Sequence, residues 1–271
     1  DTSLLHHLIG SRSLVWNLAK NDIKKKFAGS YFGVVWAFVQ PVITVLLYWF
    51  VFEKGLNSKA TDLRTGIEIP FVLWLTAGLV PWFYFQEALN GGTGVLVEYS
   101  YLVKKVVFQI DMLPVVKMIS ALFTHLFFVA FTIVLFICMG YMPDWYALQV
   151  VYYSFCMILF ATGLVYATSA VTVFFRDMKE VVGILLQIGM WVTPIMWNFE
   201  TMVQIPGWAI AVLKLNPMYY IVSGYRNALI NHIGFWEDMG LTVYFWVVTA
   251  VILFLGTTVF KRLRPHFADV L

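Results

Sequence analysis

The sequence predicts an all-α, polytopic membrane protein with six transmembrane helices. Of its 271 residues, 61% are hydrophobic and only 12% are charged, and the mean hydropathy is +0.80. A soluble domain averages about 45–50% apolar and about 25% charged residues. Too few polar side chains remain to cover a water-facing surface, which excludes a soluble enzyme, a nucleic-acid-binding domain and a disordered linker protein. The uncharged stretches are continuously apolar rather than alternating, which favours helices over barrel strands.

Six stretches without Asp, Glu, Lys or Arg are the predicted membrane spans. They cover residues 34–52, 69–86, 118–143, 145–175, 181–199 and 239–260. A spanning helix needs about 20 mostly apolar residues, because the hydrocarbon layer is about 30 Å thick and a helix rises about 1.5 Å per residue. The third and fourth stretches exceed this length, so we expect their helices to end inside them, with a turn at residues 140–144.

The distribution of positive charge predicts the orientation of the chain. An even number of spans places both termini on one side of the membrane. The segments on that side carry twelve of the 18 Lys and Arg residues, and Lys117 is left uncounted near a span end. The opposite side carries five, namely Lys54, Lys59, Arg64, Lys214 and Arg226. Because Lys and Arg are enriched on the cytoplasmic side, we expect both termini in the cytoplasm.

Residues 1–33 are predicted to form a cytoplasmic amphipathic segment, followed by a six-span permease domain over residues 34–271. Apolar residues recur at every fourth position from Val15 to Phe27, and Lys20 lies on the opposite face. This pattern is typical of a helix lying in the lipid interface. The segment is either a plain anchor or an attractor for an anionic headgroup or a diphosphate through the run Lys24, Lys25 and Lys26.

The loop between the second and third spans carries another amphipathic pattern, over about residues 95–108. Apolar and polar positions fall on different helical faces, with Leu96, Tyr99, Val103 and Val106 against Glu98, Tyr101 and Lys105. This spacing predicts a short helix on the cytoplasmic surface. It is either a solvated element or a docking element for a cytoplasmic partner.

The outer connection, over about residues 200–238, is too apolar for an ordinary water-exposed loop. Pro206-Gly207 and Asn216-Pro217 interrupt it, and such dipeptides mark turns. We expect two short re-entrant helices that dip into the outer leaflet without crossing it. Irregular backbone at that depth must be buried in protein or line a cavity.

The chain lacks the motifs that would let it drive chemistry by itself. It contains no GxxxxGK[ST] phosphate loop and no HExxH or CxxC metal pattern. Ion-driven carriers keep ionisable groups inside the membrane, whereas the predicted spans contain no carboxylate. We therefore expect an energy source on another chain, no catalytic residue and no metal. Glu87, Asp111 and Lys117, near span ends, are expected to snorkel, and His125 to form a packing hydrogen bond.

Aromatic residues make up 18% of the chain, and some of them are candidates for lining a translocation path. Aromatic rings offer flat apolar faces on which sugar rings slide. The candidates within the predicted spans are Trp36, Gln40, Trp49, Trp74, Gln187 and Trp191. The competing interpretation assigns the aromatic rings to interfacial belts and the glutamines to hydrogen bonds between helices.

Short motifs, in order along nearly the whole chain, resemble those of type-2 ABC exporter permeases. They are GSYFGVVW at 29–36 with Gln40-Pro41, AGLVPW at 77–82, LVKKV at 102–106, FFRDM at 174–178, TPI at 193–195, and LNPM at 215–218 with Tyr225-Arg226. Within this family the chain looks like the polymer-exporting branch, which moves lipid-linked teichoic acids, O-antigens and capsules. It looks most similar to the teichoic acid translocation permeases.

The resemblance implies a homodimer of six-span subunits in the bacterial cytoplasmic membrane, each docked on a separate ATPase subunit that holds ATP and magnesium. No cofactor is expected on this chain itself. The polymer would cross between the first and fifth spans of the two subunits. The short helix over about residues 95–108 resembles the family's coupling helix, which would transmit the motion of the ATPase through Leu96, Tyr99, Tyr101, Lys104 and Lys105. A lipid diphosphate would approach near Lys24, Lys25, Lys26, Tyr31 and Gly33.

The sequence leaves other functions open beside export of wall teichoic acid. O-antigen or capsule polysaccharide is the alternative polymer, and a small drug or lipid is the alternative cargo for the same fold. A membrane-embedded glycosyl- or phosphotransferase would need carboxylates at the membrane face, where Asp177 and Glu180 are the only close cytoplasmic pair. A passive channel would conduct without ATP and would not need a docking helix.

Overall fold

The computed structural model describes residues 12–26, 28, 30–33, 35–103, 109–198 and 206–271. Helix α1 (Arg12–Lys26) precedes α2 (Val35–Trp49), which continues as a π-helical turn (Phe50–Gly55). An antiparallel hairpin of β1 (Ala60–Thr61) and β2 (Glu68–Ile69) leads into α3 (Phe71–Thr93). Two short helices, α4 (Val95–Glu98) and α5 (Ser100–Val103), separate α3 from α6 (Met112–Cys138).

The second half of the chain begins with a 3-10 turn (Trp145–Leu148) that leads into α7 (Gln149–Phe174). Helix α8 (Met178–Val192) is followed by α9 (Gly207–Lys214) and α10 (Pro217–Arg226), which continues as a π-helical turn (Asn227–Asn231). The chain closes with α11 (Met239–Leu263), a 3-10 turn (Arg264–His266) and α12 (Phe267–Val270). The predicted all-helical membrane architecture is thus confirmed in outline, with one small hairpin that the sequence did not predict.

Four helices among the described residues are long and apolar enough to cross a membrane. They are Val35–Gly55, Met112–Cys138, Trp145–Phe174 and Met239–His266. The two remaining predicted spans contain α3 and α8, and α8 is only 15 residues long. Pro194 explains that length, because a proline disfavours helical geometry in the residue before it and Thr193 is extended, with ψ 126°.

The long helices run between two ends of the bundle, which we call proximal and distal. At the proximal end, Phe260 and Phe267 near the C-terminus pack in one cluster with Val95 and Leu96 of α4. At the distal end, the hairpin loop contacts the turn after α10, where the Leu63 N–H donates to Asn231 Oδ1 at 3.0 Å. The N-terminal helix α1 packs on the first turns of α6. Both described ends of the chain therefore lie at the proximal end.

Helices α3 and α8 also connect the two ends. Thr93, at the end of α3, donates to Thr168 Oγ1 at 2.9 Å near the proximal end of α7. The distal start of α3 holds Trp74, whose carbonyl accepts from Arg226. Directly after the distal end of α8, the Thr193 hydroxyl accepts from the Asn216 amide at 2.8 Å.

Helix α7 lies at the centre of the bundle, against α11, α3 and α10. It crosses α11 at a pair of glycines, where a Cβ on Gly256 would overlap the carbonyl of Gly163. Small residues let helix backbones approach closely, which is how helices pack in lipid. This crossing fixes the last long helix to the centre.

A buried polar triangle ties α10 to the bundle. The Tyr225 hydroxyl lies 2.6 Å from the Ser154 hydroxyl and 3.1 Å from His125 Nε2, which lies 3.2 Å from Ser154 Oγ. Helix α10 begins where Asn216 caps the Met218 N–H and Pro217 occupies the first turn, an arrangement that starts helices well. The predicted packing role of His125 agrees with this geometry.

Candidate functional site

A cavity of about 870 Å³ opens at the proximal end between α1, α2, α3 and α6. Its interior is lined by neutral polar side chains at helical spacing, namely Gln40, Thr44, Gln86, Asn90, Ser120 and Thr124. Residues three and four apart share a helix face, so each of three helices turns one polar face inward. Amides and hydroxyls both donate and accept hydrogen bonds, which suits a ligand rich in hydroxyl groups.

The proximal mouth of this cavity is charged. Three lysines and three carboxylates line it, namely Lys25, Lys26, Lys117, Asp22, Glu87 and Glu98. Lys26 Nζ lies 2.5 Å from Glu87 Oε1 and so joins α1 to α3. Among the described residues that line the mouth, the lysines are thus matched by an equal number of carboxylates, and these side chains together carry little net charge.

Four of these proximal side chains form what we call the Lys117 junction, made of Asp22, Glu98, Tyr99 and Lys117. Lys117 Nζ lies 2.6 Å from Asp22 Oδ1 and 2.9 Å from Glu98 Oε2, and the Tyr99 hydroxyl donates to Asp22 Oδ1 at 2.9 Å. Burial raises the pKa of Tyr99 above its ordinary value, and the hydrogen bond to Asp22 raises it further. The junction connects α1, α4 and α6 through side chains alone.

The Lys117 junction was not predicted from the sequence, because each charged residue near a span end was considered separately. Lys117 and Glu87 were expected to snorkel, but the structure pairs both with carboxylate or lysine partners on other helices. Asp22 carried a usable signal, since it lies seven residues after Val15 on the apolar face of α1. That face packs against Met112 and Val116 of α6, so a carboxylate there needs a partner.

The predicted lipid-diphosphate residues divide into two groups. Lys25 and Lys26 line the cavity mouth, and Lys25 Nζ lies 5.2 Å from the ring centroid of Tyr99. Lys24 and Tyr31 are exposed, and Gly33 adopts a left-handed conformation, with φ +51°.

The predicted path residues are also separated by the structure. Trp36 and Gln40 line the proximal cavity. Trp49 instead donates its indole N–H to Glu53 at 2.7 Å. Gln187 and Trp191 are exposed on α8, and Trp74 lies at the distal end.

The predicted coupling residues differ in exposure. Leu96 and Tyr99 are buried against the bundle, whereas Tyr101 is half exposed. Lys104 and Lys105 lie outside the described residues. In place of one helix over 95–108, the described part has two short helices that meet at Tyr99.

Arg226 was expected to be a loop cation, and the structure buries it at the distal end. Its guanidinium donates to the carbonyls of Pro194 and Ile195 at 2.7 Å each and to that of Trp74 at 3.3 Å. The guanidinium carbon lies 3.3 Å from the ring centroid of Trp74. A Cβ on Gly78 would come within 2.6 Å of the guanidinium, so the AGLVPW motif leaves room for this cation. Arg226 thereby stabilises the chain just after α8.

The carboxylates that a transferase would need, Asp177 and Glu180, are exposed at the start of α8. Among the described residues, no three His, Cys, Asp or Glu side chains are grouped to hold a metal ion. The geometry brings sugar-compatible groups together in the proximal cavity, but it builds no comparable acid–base site around this pair.

Comparison with known proteins assigns the chain to a family. Residues 13–230 match the model of the ABC-2 type transporter family. The O-antigen export system permease protein RfbA of Myxococcus xanthus is 25% identical over 266 residues, covering 98% of both chains. Two proteins of the same name from Klebsiella pneumoniae are each 20% identical, covering 94% of this chain and 93% of theirs. The chain therefore belongs to the ABC-2 type transporter family of membrane permeases.

Proposed function

We propose that the chain is the membrane-spanning subunit of an ATP-driven exporter of a lipid-diphosphate-linked cell-surface polysaccharide. The proximal cavity carries this proposal, because it combines lysines at its mouth with amides and hydroxyls inside. Of the mouth lysines, Lys26 and Lys117 pair with carboxylates, whereas Lys25 lies over tyrosine rings and is placed to pair with a diphosphate. Sugar hydroxyls bond to the neutral polar wall. The distal end then faces outward, both termini are cytoplasmic, and the six spans are α2, α3, α6, α7, α8 and α11.

The polymer is better described as an O-antigen-type glycan than as wall teichoic acid. The sequence ranks teichoic acid first, and the names of the relatives reverse that order. The cavity supports the reversal, because its lysines are balanced by carboxylates. A chain with a phosphate in each repeat would be drawn to a passage with excess positive charge, whereas a neutral glycan needs none.

A second copy of the chain and two ATPase subunits complete the proposed transporter. The exposed apolar face of α8, which includes Ile184, Leu185, Ile188 and Trp191, is available to a second copy across the polymer path. ATP and magnesium belong to the ATPase subunits.

The placement of the described coupling residues supports a route for coupling. Leu96 and Tyr99 hold α4 to the bundle, while Tyr101 with Lys104 and Lys105 meets the ATPase. The Lys117 junction then passes displacement of α4 to α1 and α6 through the ion pairs of Lys117.

Blocking the cavity tests the proposal. Thr44→Trp places a large ring in the cavity, and export of the lipid-linked glycan by the transporter reconstituted with its ATPase in vesicles should be lost. Val251→Trp, on the exposed side of α11, is the matched control and should export normally. Unchanged export by Thr44→Trp, or stimulation of ATP hydrolysis only by small amphiphiles, would contradict the proposed function.

A further inference from the structure

A second cavity, of about 220 Å³, lies at the distal end between the hairpin loop, α3, the segment after α8 and α10. Its volume is about a quarter of that of the proximal cavity, which suits a small ligand such as one sugar ring. Rings of Trp197 and Tyr219 line it beside the amides of Asn227 and Asn231. Aromatic faces pack against the C–H faces of a pyranose, while amides bond to its hydroxyls.

The walls of this distal cavity are held in place before any ligand arrives. The Trp197 indole N–H donates to the carbonyl of Trp191 at 2.9 Å, which fixes the plane of the ring. Asn231 accepts from the Leu63 N–H at 3.0 Å and donates to Asn227 Oδ1 at 2.8 Å. Arg226, bound to three carbonyls, forms part of the same wall. Preorganised walls lower the entropic cost of binding a small ligand.

Three polar groups on this wall keep hydrogen-bonding capacity. Asn227 uses its carbonyl oxygen on Asn231 and keeps both amide hydrogens, with no acceptor among the described residues. The Ser223 hydroxyl is likewise without a side-chain partner in the described chain, and Asp238 caps α11 with Oδ1 only. Together they offer two kinds of donor and one carboxylate acceptor, which matches neighbouring hydroxyls of a sugar.

We infer that the distal cavity is a binding subsite for one neutral sugar ring of the exported glycan, on the face where the glycan leaves. The inference rests on the proposed function for its source of ligand. Ser223, Asn227 and Asp238 hold the hydroxyls, and Trp197 and Tyr219 hold the ring faces. Occupation of the subsite retains a sugar at the exit and opposes its return.

The test measures binding of free methyl glycosides to the full-length transporter complex in lipid nanodiscs, which contain no sugar detergent. Saturation-transfer NMR should show transfer from protein to a methyl hexoside, with glycerol 3-phosphate as the probe for a lipid headgroup. Ser223→Val and Asn227→Leu should each weaken glycoside binding by about five- to tenfold, the loss of one hydrogen bond. Ser58→Val, at another half-buried distal serine, should leave binding unchanged, and thermal unfolding should confirm that all variants are folded.

The outcomes separate this inference from the proposed function. Absence of glycoside transfer, equal transfer in both folded cavity variants, or transfer to glycerol 3-phosphate alone would overturn the distal subsite. Export of lipid-linked glycan in vesicles is measured in parallel. Export without glycoside binding at the distal cavity would contradict only the subsite. Glycoside binding there without ATP-dependent export would contradict the proposed function, while the distal cavity would remain a sugar-binding site.

Discussion

At each end of the described bundle, a cation that is wholly or largely buried joins separate segments of the chain, but its charge is satisfied differently at the two ends. At the proximal end, Lys117 pairs with the carboxylates of Asp22 and Glu98. At the distal end, Arg226 binds the backbone carbonyls of Trp74, Pro194 and Ile195. One end uses side chains on three elements, and the other uses the main chain itself.

This difference separates an end that can move from an end that serves as a frame. A lysine is a compact charge on a flexible stem, so Lys117 can shift with its two carboxylates and remain paired. The planar fork of Arg226 fits fixed carbonyls and loses bonds if they move. We therefore expect displacement of α4, the proposed coupling element, to be absorbed at the proximal end, while the distal end holds its shape.

The largest expected effect comes from removing the distal cation. Arg226→Met leaves three buried carbonyls without donors, and we expect the free energy of unfolding to fall by about 3–4 kcal/mol. Arg226→Lys should lower the free energy of unfolding less, since one ammonium still reaches some of the carbonyls. Scanning fluorimetry in nanodiscs measures the shift. Arg262→Met, at an exposed arginine, is the matched control, and an equal stability of both Met variants would show that the distal frame does not depend on Arg226.

The next largest effect concerns the crossing that connects both ends through the centre. Gly256→Ala places a methyl group against the carbonyl of Gly163, and overpacking of this kind costs about 2 kcal/mol. Gly183→Ala is the control, because its Cβ meets nothing within 4 Å and alanine favours helix by up to about 1 kcal/mol. Thermal unfolding should therefore move in opposite directions for the two variants. A matching shift in the same direction would mean that the close approach is not stabilising.

A smaller effect is expected from the proximal pair. Lys117→Met, Asp22→Asn and the double variant form a thermodynamic cycle, and we expect a coupling energy of about 1 kcal/mol because both side chains are mostly but not fully buried. Export by the reconstituted complex should fall more steeply than stability does. If Lys117→Met destabilises the protein as much as Arg226→Met while export is retained, the proximal end is the rigid frame and the comparison is inverted.

The sequence predicts those features of the fold and the site that are determined by residues close together along the chain. The uncharged stretches predict the helices, because the apolar composition of each stretch itself determines whether it is stable in lipid. The dipeptide Asn216-Pro217, predicted to interrupt the outer connection, lies where α10 begins, and a cap acts within three residues. Both features are local, and the structure agrees with both.

The pairings of buried charge were beyond sequence reasoning for a physical reason. Lys117 and Asp22 are 95 residues apart, and Arg226 and Trp74 are 152 residues apart. A lysine that is neutralised by a distant carboxylate has the same local sequence as one that snorkels. Arg226 was therefore predicted to be one of five cations in the outer loops. Residues that line the proximal cavity, such as Trp36 and Gln40, were predicted only as separate candidates for the translocation path.

The smallest predicted effect concerns Asp62, which holds the hairpin loop at the distal end. Its carboxylate accepts from the Arg64 N–H at 2.8 Å, the Thr65 N–H at 3.3 Å and the Thr65 hydroxyl at 2.7 Å. Burial alone would raise the pKa of Asp62, but these hydrogen bonds together lower it below the ordinary value of 3.8. The stabilisation is therefore complete above pH 3.8 and is lost as the pH falls through the folded-state pKa.

Asp62→Asn removes this titration while keeping the shape of the side chain. At neutral pH we expect the variant to be less stable by about 0.5–1 kcal/mol, and the difference should shrink as the pH falls below 3.8. Unfolding midpoints of both proteins measured across this range check the sign. Asp177→Asn is the control, at an exposed carboxylate that makes no side-chain cap hydrogen bond. A difference that grows on acidification would mean that the charged form of Asp62 is disfavoured in the fold, and the distal end would then depend on Arg226 without support from the hairpin.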